Sequence, residues 1–235
     1  MKQTPNRRLI TSCTGSSNMK SAFKIGICGA QGAGKTTLAK AFSEASGIPY
    51  FDADVRGILK RHGFDCRADM SPVEYFTMQF TVCCELYSSY PDGNFITDRT
   101  PLDVMGYTLA YVPPNISSDN AAGKEIEHSF IDILSESRVA IADNFTNIMM
   151  ISGYFSGNDD TARTDRASVH LGYRTKIESL IRGELHRFVD FDCTGHVKFH
   201  TLAREIKDLD KRVETLFSLF EIHIDNYGYQ TQAAH

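Results

Sequence analysis

The chain of 235 residues has no apolar stretch approaching the roughly 20 residues that a membrane-spanning helix requires. Its lysines and arginines never run beyond pairs, it contains no C-x-x-C, and it has no internal repeat. Each absence removes a class of protein. The first makes a soluble, cytoplasmic chain without a membrane partner the expectation. The second, together with a net charge of -4, weakens the case for extended nucleic-acid binding, which needs many phosphate-facing cations. The third turns the six cysteines (Cys13, Cys28, Cys66, Cys83, Cys84 and Cys193) away from a disulfide framework and toward reduced thiols. Cys193, His196 and His200 have a faintly zinc-like spacing. A fourth ligand and a second cysteine pair are missing, so two solvent-facing histidines on a strand are the reading adopted.

Residues 1–21 are basic and Ser/Thr-rich, and they lack both acids and the apolar core of a secretory signal. They read as a disordered leader, with Met19 just before the first strand. At 42% hydrophobic residues the remainder is long enough for one sizeable core, over residues 22–224, and 225–235 read as a tail.

What is present is decisive at one place. Gly29-Ala30-Gln31-Gly32-Ala33-Gly34-Lys35-Thr36 stands between an apolar run, 23–28, and a helix-like run, 37–46. Glycines let the backbone turn its N–H groups inward around phosphates, a helix starting near Lys35 adds the positive end of its dipole, and Lys35 adds a full charge. Thr36 offers a hydroxyl to Mg²⁺, and Thr37 follows at the helix start. Gly29, Ala30, Gly32, Ala33, Gly34, Lys35, Thr36 and Thr37 are the expected nucleotide-binding residues. A bare glycine turn would explain the glycines but not a Lys-Thr pair at this offset.

Beyond the loop, periodicity and caps predict strands at 48–51, 94–97, 146–152 and 197–202, alternating with helices at 37–45, 71–88, 100–111, 124–143, 168–188 and 204–220. Ser71-Pro72-Val73-Glu74 is a capping box with proline at the first helical position. The apolar residues of the helix it opens cover much of the circumference, which predicts burial on two sides. Gln79 is its polar exception, either a core amide or a contact to a base or ribose. Strands alternating with helices imply a single α/β domain: a parallel sheet of about five strands, wrapped on both faces, with a polar lid loop at 153–167.

Phosphoryl transfer needs charge neutralisation, an in-line acceptor and exclusion of water. Asp98, at the end of an apolar strand, is the expected second acid for Mg²⁺, with a helix cap as the alternative. Arg99 beside it holds a phosphate or makes a surface salt bridge. Asp52 and Asp54 share one side of an extended segment. Asp54 is assigned as proton acceptor or acceptor orienter, and Asp52 as outer support for the metal; the alternative is that Asp52 caps the next helix.

Asp159-Asp160-Thr161-Ala162-Arg163 resembles the acidic-then-arginine lid of ribosylnicotinamide-kinase-like P-loop proteins, whose relatives include phage nucleotide kinases. Asp98-Arg99-Thr100-Pro101-Leu102-Asp103 resembles the Asp-Arg-(Ser/Thr) motif of those phage proteins and of deoxynucleoside kinases, and Tyr50-Phe51-Asp52-Ala53-Asp54 is similar to the Asp-x-Asp segment of shikimate kinase-like enzymes. The order of motifs matches over residues 23–185. The resemblance implies that Arg163 closes over the transferring phosphoryl group, with ATP and Mg²⁺ as cofactors, in a host cytoplasm if the gene is a phage's. For Arg166 and Arg174 a solvated helix face is the reading preferred. The leading expectation is a kinase acting on a nucleoside or nucleoside monophosphate. A kinase acting on a modified base or end of DNA and a non-catalytic nucleotide switch or ATPase are the alternatives.

Overall fold

The computed structural model describes residues 22–65, 68–117, 119–153, 170–191 and 196–222. The leader, the lid residues Asp159 to Arg163, Arg166, Cys193 and the tail lie outside the described residues. In chain order the elements are β1 (Lys24–Cys28), α1 (Lys35–Ser46), β2 (Tyr50–Phe51), α2 (Val55–Arg61), α3 (Pro72–Ser89) and β3 (Phe95–Thr97), followed by α4 (Pro101–Ala110), α5 (Ala121–Asn144), β4 (Asn147–Ile151), α6 (Leu171–Phe191), β5 (Lys198–Leu202) and α7 (Leu209–Leu219).

The five strands form one parallel sheet in the order β2-β3-β1-β4-β5. β1 is its centre: Ile25 lies beside Ile96 of β3 and beside Asn147 of β4. Such a strand is covered on both faces, which is why it reads as a continuous apolar run. Alternation sends Ile25 and Ile27 toward α1 and α7, where Leu38, Phe42, Leu216 and Phe220 meet them, and sends Cys28 toward the face covered by α3 to α6. The chain leaves β1 toward β3 on one side and reaches β4 on the other. The crevice beyond the carboxyl end of β1 is therefore the switch point where doubly wound sheets bind ligands.

The predicted order of elements is observed, with shifted boundaries where side chains cap the backbone. α5 begins at Ala121 rather than 124, because the Asn120 side chain accepts the Gly123 N–H at 2.8 Å. α7 begins at Leu209 rather than 204. Asp208 caps it by accepting the Lys211 N–H at 3.0 Å, and the segment before it is a turn closed by Ile206 N–H donating to Ala203. The capping box at Ser71 and Glu74 is formed, and α3 packs against α2, α4 and α5, as a helix buried on more than one side must. His196 is exposed, but His200 is half-buried against Phe220 at 5.4 Å and hydrogen-bonds to Asn147, so the expectation of two solvent-facing histidines holds only for the first. Among the described residues no cluster suited to a metal ion formed by histidine, cysteine and acids occurs, and no helix is long and apolar enough to cross a membrane.

Phe42 fixes α1, and with it the loop that α1 follows. It is fully buried, 4.9 Å from the Phe217 ring and 5.9 Å from that of Phe220. Phe42→Ala is expected to cost about 3–5 kcal/mol, read as a lower urea midpoint with unchanged slope. An unaltered midpoint would mean that α7 is not packed there in solution.

Candidate active site

β1 ends at Cys28 and the chain turns through the glycine-rich loop. At Gly29, with φ 147°, an added Cβ would lie 2.4 Å from the Ile151 carbonyl oxygen, so no side chain fits where the loop crosses the end of β4. Gly34 closes the loop in the left-handed region, φ 88°, and is the N-cap of α1, whose first residue is Lys35. The loop's N–H groups and the α1 dipole thus converge on one anion-binding hollow.

Lys35 is buried rather than extended into solvent. Its Nζ donates to the Gly29 carbonyl at 2.5 Å and to the Ala30 carbonyl at 3.2 Å, and lies 3.6 Å from Asp103 Oδ1. Burial pulls the lysine pKa down, and Asp103 opposes this. Asp103 also accepts the Gly29 N–H at 3.2 Å, while its other oxygen accepts the Thr100 N–H and hydroxyl, both at 2.9 Å. The sequence marks Asp103 only as part of a helix cap. Its second task, holding a loop 74 residues away, leaves no local signal.

The Thr36 hydroxyl donates to Asp98 Oδ2, and the Tyr50 hydroxyl donates to Asp98 Oδ1 at 3.1 Å. Burial, reinforced by Asp98, raises the Tyr50 pKa, which keeps that donor protonated. A hydroxyl and a carboxylate meeting beside the phosphate hollow are the hard oxygen donors that Mg²⁺ takes, so the expected pair fits the ion. The N-cap of α4 is Thr100, not Asp98.

Arg99 points into the same region. Burial alone would lower its pKa, but Tyr107, Asp103 and Asp98 raise it above the ordinary value, so the guanidinium stays charged inside the cleft rather than on the surface. Burial raises the Tyr107 pKa, and the Arg99 charge and the Gln31 backbone oppose this. The Gln31 carbonyl accepts from Arg174 Nε at 3.2 Å. Arg174 is buried, which corrects the expected solvated face: α6 crosses the loop rather than standing off it. Arg212, which sequence reasoning passed over, donates from Nε to Ile206 at 2.8 Å and from Nη1 to Ala33 at 3.5 Å, gripping the loop from α7.

The two β2 carboxylates stand apart from this group. Asp54, at φ 38°, is the N-cap of α2; its Oδ1 accepts the Gly57 N–H at 3.0 Å and its Oδ2 is 3.9 Å from Arg61. Asp52 Oδ1 accepts the Asp54 N–H at 3.1 Å. The cap that the sequence offered to Asp52 thus falls to Asp54. Neither residue lines the cleft.

That cleft has a volume of about 1010 Å³. Gln31 to Thr37 form its floor, and Tyr75 and Tyr107 with Met78, Val82 and Gln79, of α3 and α4, form a mainly apolar wall that carries two aromatic rings. Gln79 Nε2 donates to the Tyr75 hydroxyl at 2.8 Å, which donates to the Tyr107 carbonyl at 3.1 Å, and the Tyr75 ring stacks on Tyr111 at 4.1 Å. Gln79 is therefore both a bonded core amide and part of the cleft wall.

Solved structures share this fold. A deoxyadenosine kinase from M. mycoides with bound dCTP superposes with a TM-score of 0.58, at 18% identity over 85% of this chain and 99% of that one. The same kinase with bound dATP gives 0.54 at 16% identity, covering 85% and 99%. The chain has the P-loop kinase fold. NadR protein in complex with NR gives a TM-score of 0.53 at 16% identity, over 91% of this chain but only 53% of NadR. A family model described as an AAA domain matches residues 24–131, under half of the chain. No curated protein sequence matches it. The resemblance to P-loop kinases inferred from the motifs is therefore present in the fold itself.

Asp103→Ala removes the acceptor of three hydrogen bonds and leaves Lys35 buried without its counter-charge. The expected cost is about 3–5 kcal/mol, as for breaking one half of a buried ion pair. Thermal unfolding reads it directly, and a melting temperature equal to that of the parent would remove Asp103 from this role.

Proposed function

We propose that the protein is a phosphotransferase that moves the terminal phosphoryl group of ATP, in the presence of Mg²⁺, to a nucleoside or nucleoside monophosphate. The observation that carries this reading is that one cleft joins the phosphate loop, the Thr36–Asp98 pair and Arg99 to a mainly apolar wall suited to a base. A nucleotide switch has no need of that second chamber. The solved kinases with dCTP and dATP bound support the substrate class by likeness of fold.

The transferring phosphoryl group passes through a loose transition state, so positioning and charge do most of the work. In this reading the backbone N–H groups of Gly29 to Thr37 hold the donor phosphates. Lys35, which now satisfies its ammonium on the carbonyls of Gly29 and Ala30, swings onto the terminal phosphates. Thr36 and Asp98 would hold Mg²⁺, which when bound neutralises phosphate charge. Arg99 holds the acceptor in line, and Arg163, from the lid, covers the reaction. Arg174 keeps the Gln31 peptide oriented.

The proton-acceptor assignment changes. Asp54 is reassigned to capping α2. Asp52, whose charge contributes to the raised Tyr50 pKa, keeps the role of outer support for the metal site through Tyr50 and Asp98.

Product analysis with ATP, Mg²⁺ and a panel of nucleosides and monophosphates tests the reaction. Lys35→Ala is expected to abolish transfer and to weaken ATP binding by about 1.5–3 kcal/mol, the contribution of a charge-assisted hydrogen bond. Undiminished turnover in that variant would sink the proposal. Asp54→Ala is expected to lose about 1 kcal/mol of stability with kcat retained, while Asp52→Asn raises the Mg²⁺ concentration needed for half-maximal rate. A fall in kcat of about 10²–10⁴ in Asp54→Asn would restore Asp54 as proton acceptor.

A further inference from the structure

The basic residues of α2 divide between two directions. Arg61 is committed to α3 and to the cap: its Nη2 lies 2.7 Å from Glu85, which also binds His62, and its Nη1 is 3.9 Å from Asp54. Arg56 and Lys60, one helical turn apart and hence on one face, line the cleft. Among the described residues Lys60 has no carboxylate within ion-pair distance. These two cations stand on α2, across the cleft from the loop that serves the donor, and a neutral nucleoside offers them nothing to bind.

The acids of the cleft are distributed in the opposite sense. Among the described residues that line it, Asp103 is spent on Lys35 and the Gly29 N–H, Asp98 is engaged by Thr36 and Tyr50, and Asp65 is the third acid. Asp52 and Asp54 do not line it at all. A sugar hydroxyl needs a group to take its proton as it attacks. A phosphate monoester does not, because its second pKa is about 6 and its oxygens are already ionised at neutral pH. Among the described residues the cleft thus carries two cations on α2 and, at Asp98 and Asp103, carboxylates that are already engaged.

We propose, resting on the kinase reading above, that the acceptor already carries a phosphate, which Arg56 and Lys60 hold against Arg99. An oxygen of that phosphate attacks the terminal phosphorus of ATP, the bond from that phosphorus to the bridging oxygen breaks, and ADP leaves with the electron pair. The product is a nucleoside diphosphate, and no proton has to be removed from the acceptor. An arginine and lysine pair on one helix face sets the distance from base wall to phosphate and excludes nucleosides by lost affinity rather than by size.

The test uses the full chain with its donor site filled by a non-hydrolysable ATP analogue. Calorimetry compares the four common deoxynucleosides with their 5′-monophosphates. The preferred monophosphate is expected to bind at least about tenfold more tightly than its nucleoside, the scale of one charge-assisted contact. In the double variant Arg56→Gln, Lys60→Gln that preference falls to within about twofold while affinity for the ATP analogue is unchanged. A nucleoside that binds as tightly as its monophosphate, a preference that survives the double variant, or monophosphates that do not bind at all would each overturn the proposal. Product analysis separates the two readings. Binding with this cation dependence but without diphosphate formation defeats the kinase reading alone, whereas conversion of nucleoside to monophosphate defeats the acceptor proposal alone.

Discussion

A charged lysine buried at the start of α1 needs a counter-charge to stay there, and Asp103 provides it. One carboxylate meets the Lys35 ammonium, the Gly29 N–H and the N-terminus of α4. Desolvating that many charges is repaid only when nearly every lone pair and proton finds a partner, and here the loop carbonyls of Gly29 and Ala30 complete the set. The loop is therefore held in one shape by partners within the protein.

Three helices share in holding the loop, and each approaches from a different side. Asp103 and Tyr107 come from α4, Arg174 from α6 and Arg212 from α7, and all of them grip main-chain groups rather than loop side chains. Main-chain contacts constrain position while leaving the loop's side chains uncommitted. α6 is thereby tied to the Gln31 peptide.

What the sequence reveals divides along the range of the interaction. Gly29 to Thr36, the Ser71 capping box and the strand–helix alternation are local patterns, and each appears in the structure where the pattern places it. The convergence of Thr36 with Asp98 was readable because Asp98 follows the carboxyl end of β3 and the loop that leads to Thr36 follows that of β1, where such sheets gather ligand groups. The doubled duty of Asp103 was not, because a capping aspartate and a loop-holding aspartate look alike in sequence. Arg174 and Arg212 were obscured for the same reason: on an amphipathic helix, an arginine that turns inward toward a distant carbonyl has no periodic signature. The two carboxylates after β2 illustrate the converse. Their alternation correctly set them apart from Ala53, but which of them bends into the helix cap depends on a left-handed backbone at Asp54 that period-two reasoning does not contain.

The wide spacing of the loop's partners also bears on synthesis. β1 pairs with β3 and β4, and the residues that brace Gln31 and Ala33 stand 143 and 179 positions later in the chain. At about 5–20 residues per second, a ribosome completes the phosphate loop many seconds before its last brace has been made. The nascent chain thus carries the motif long before it has the fold.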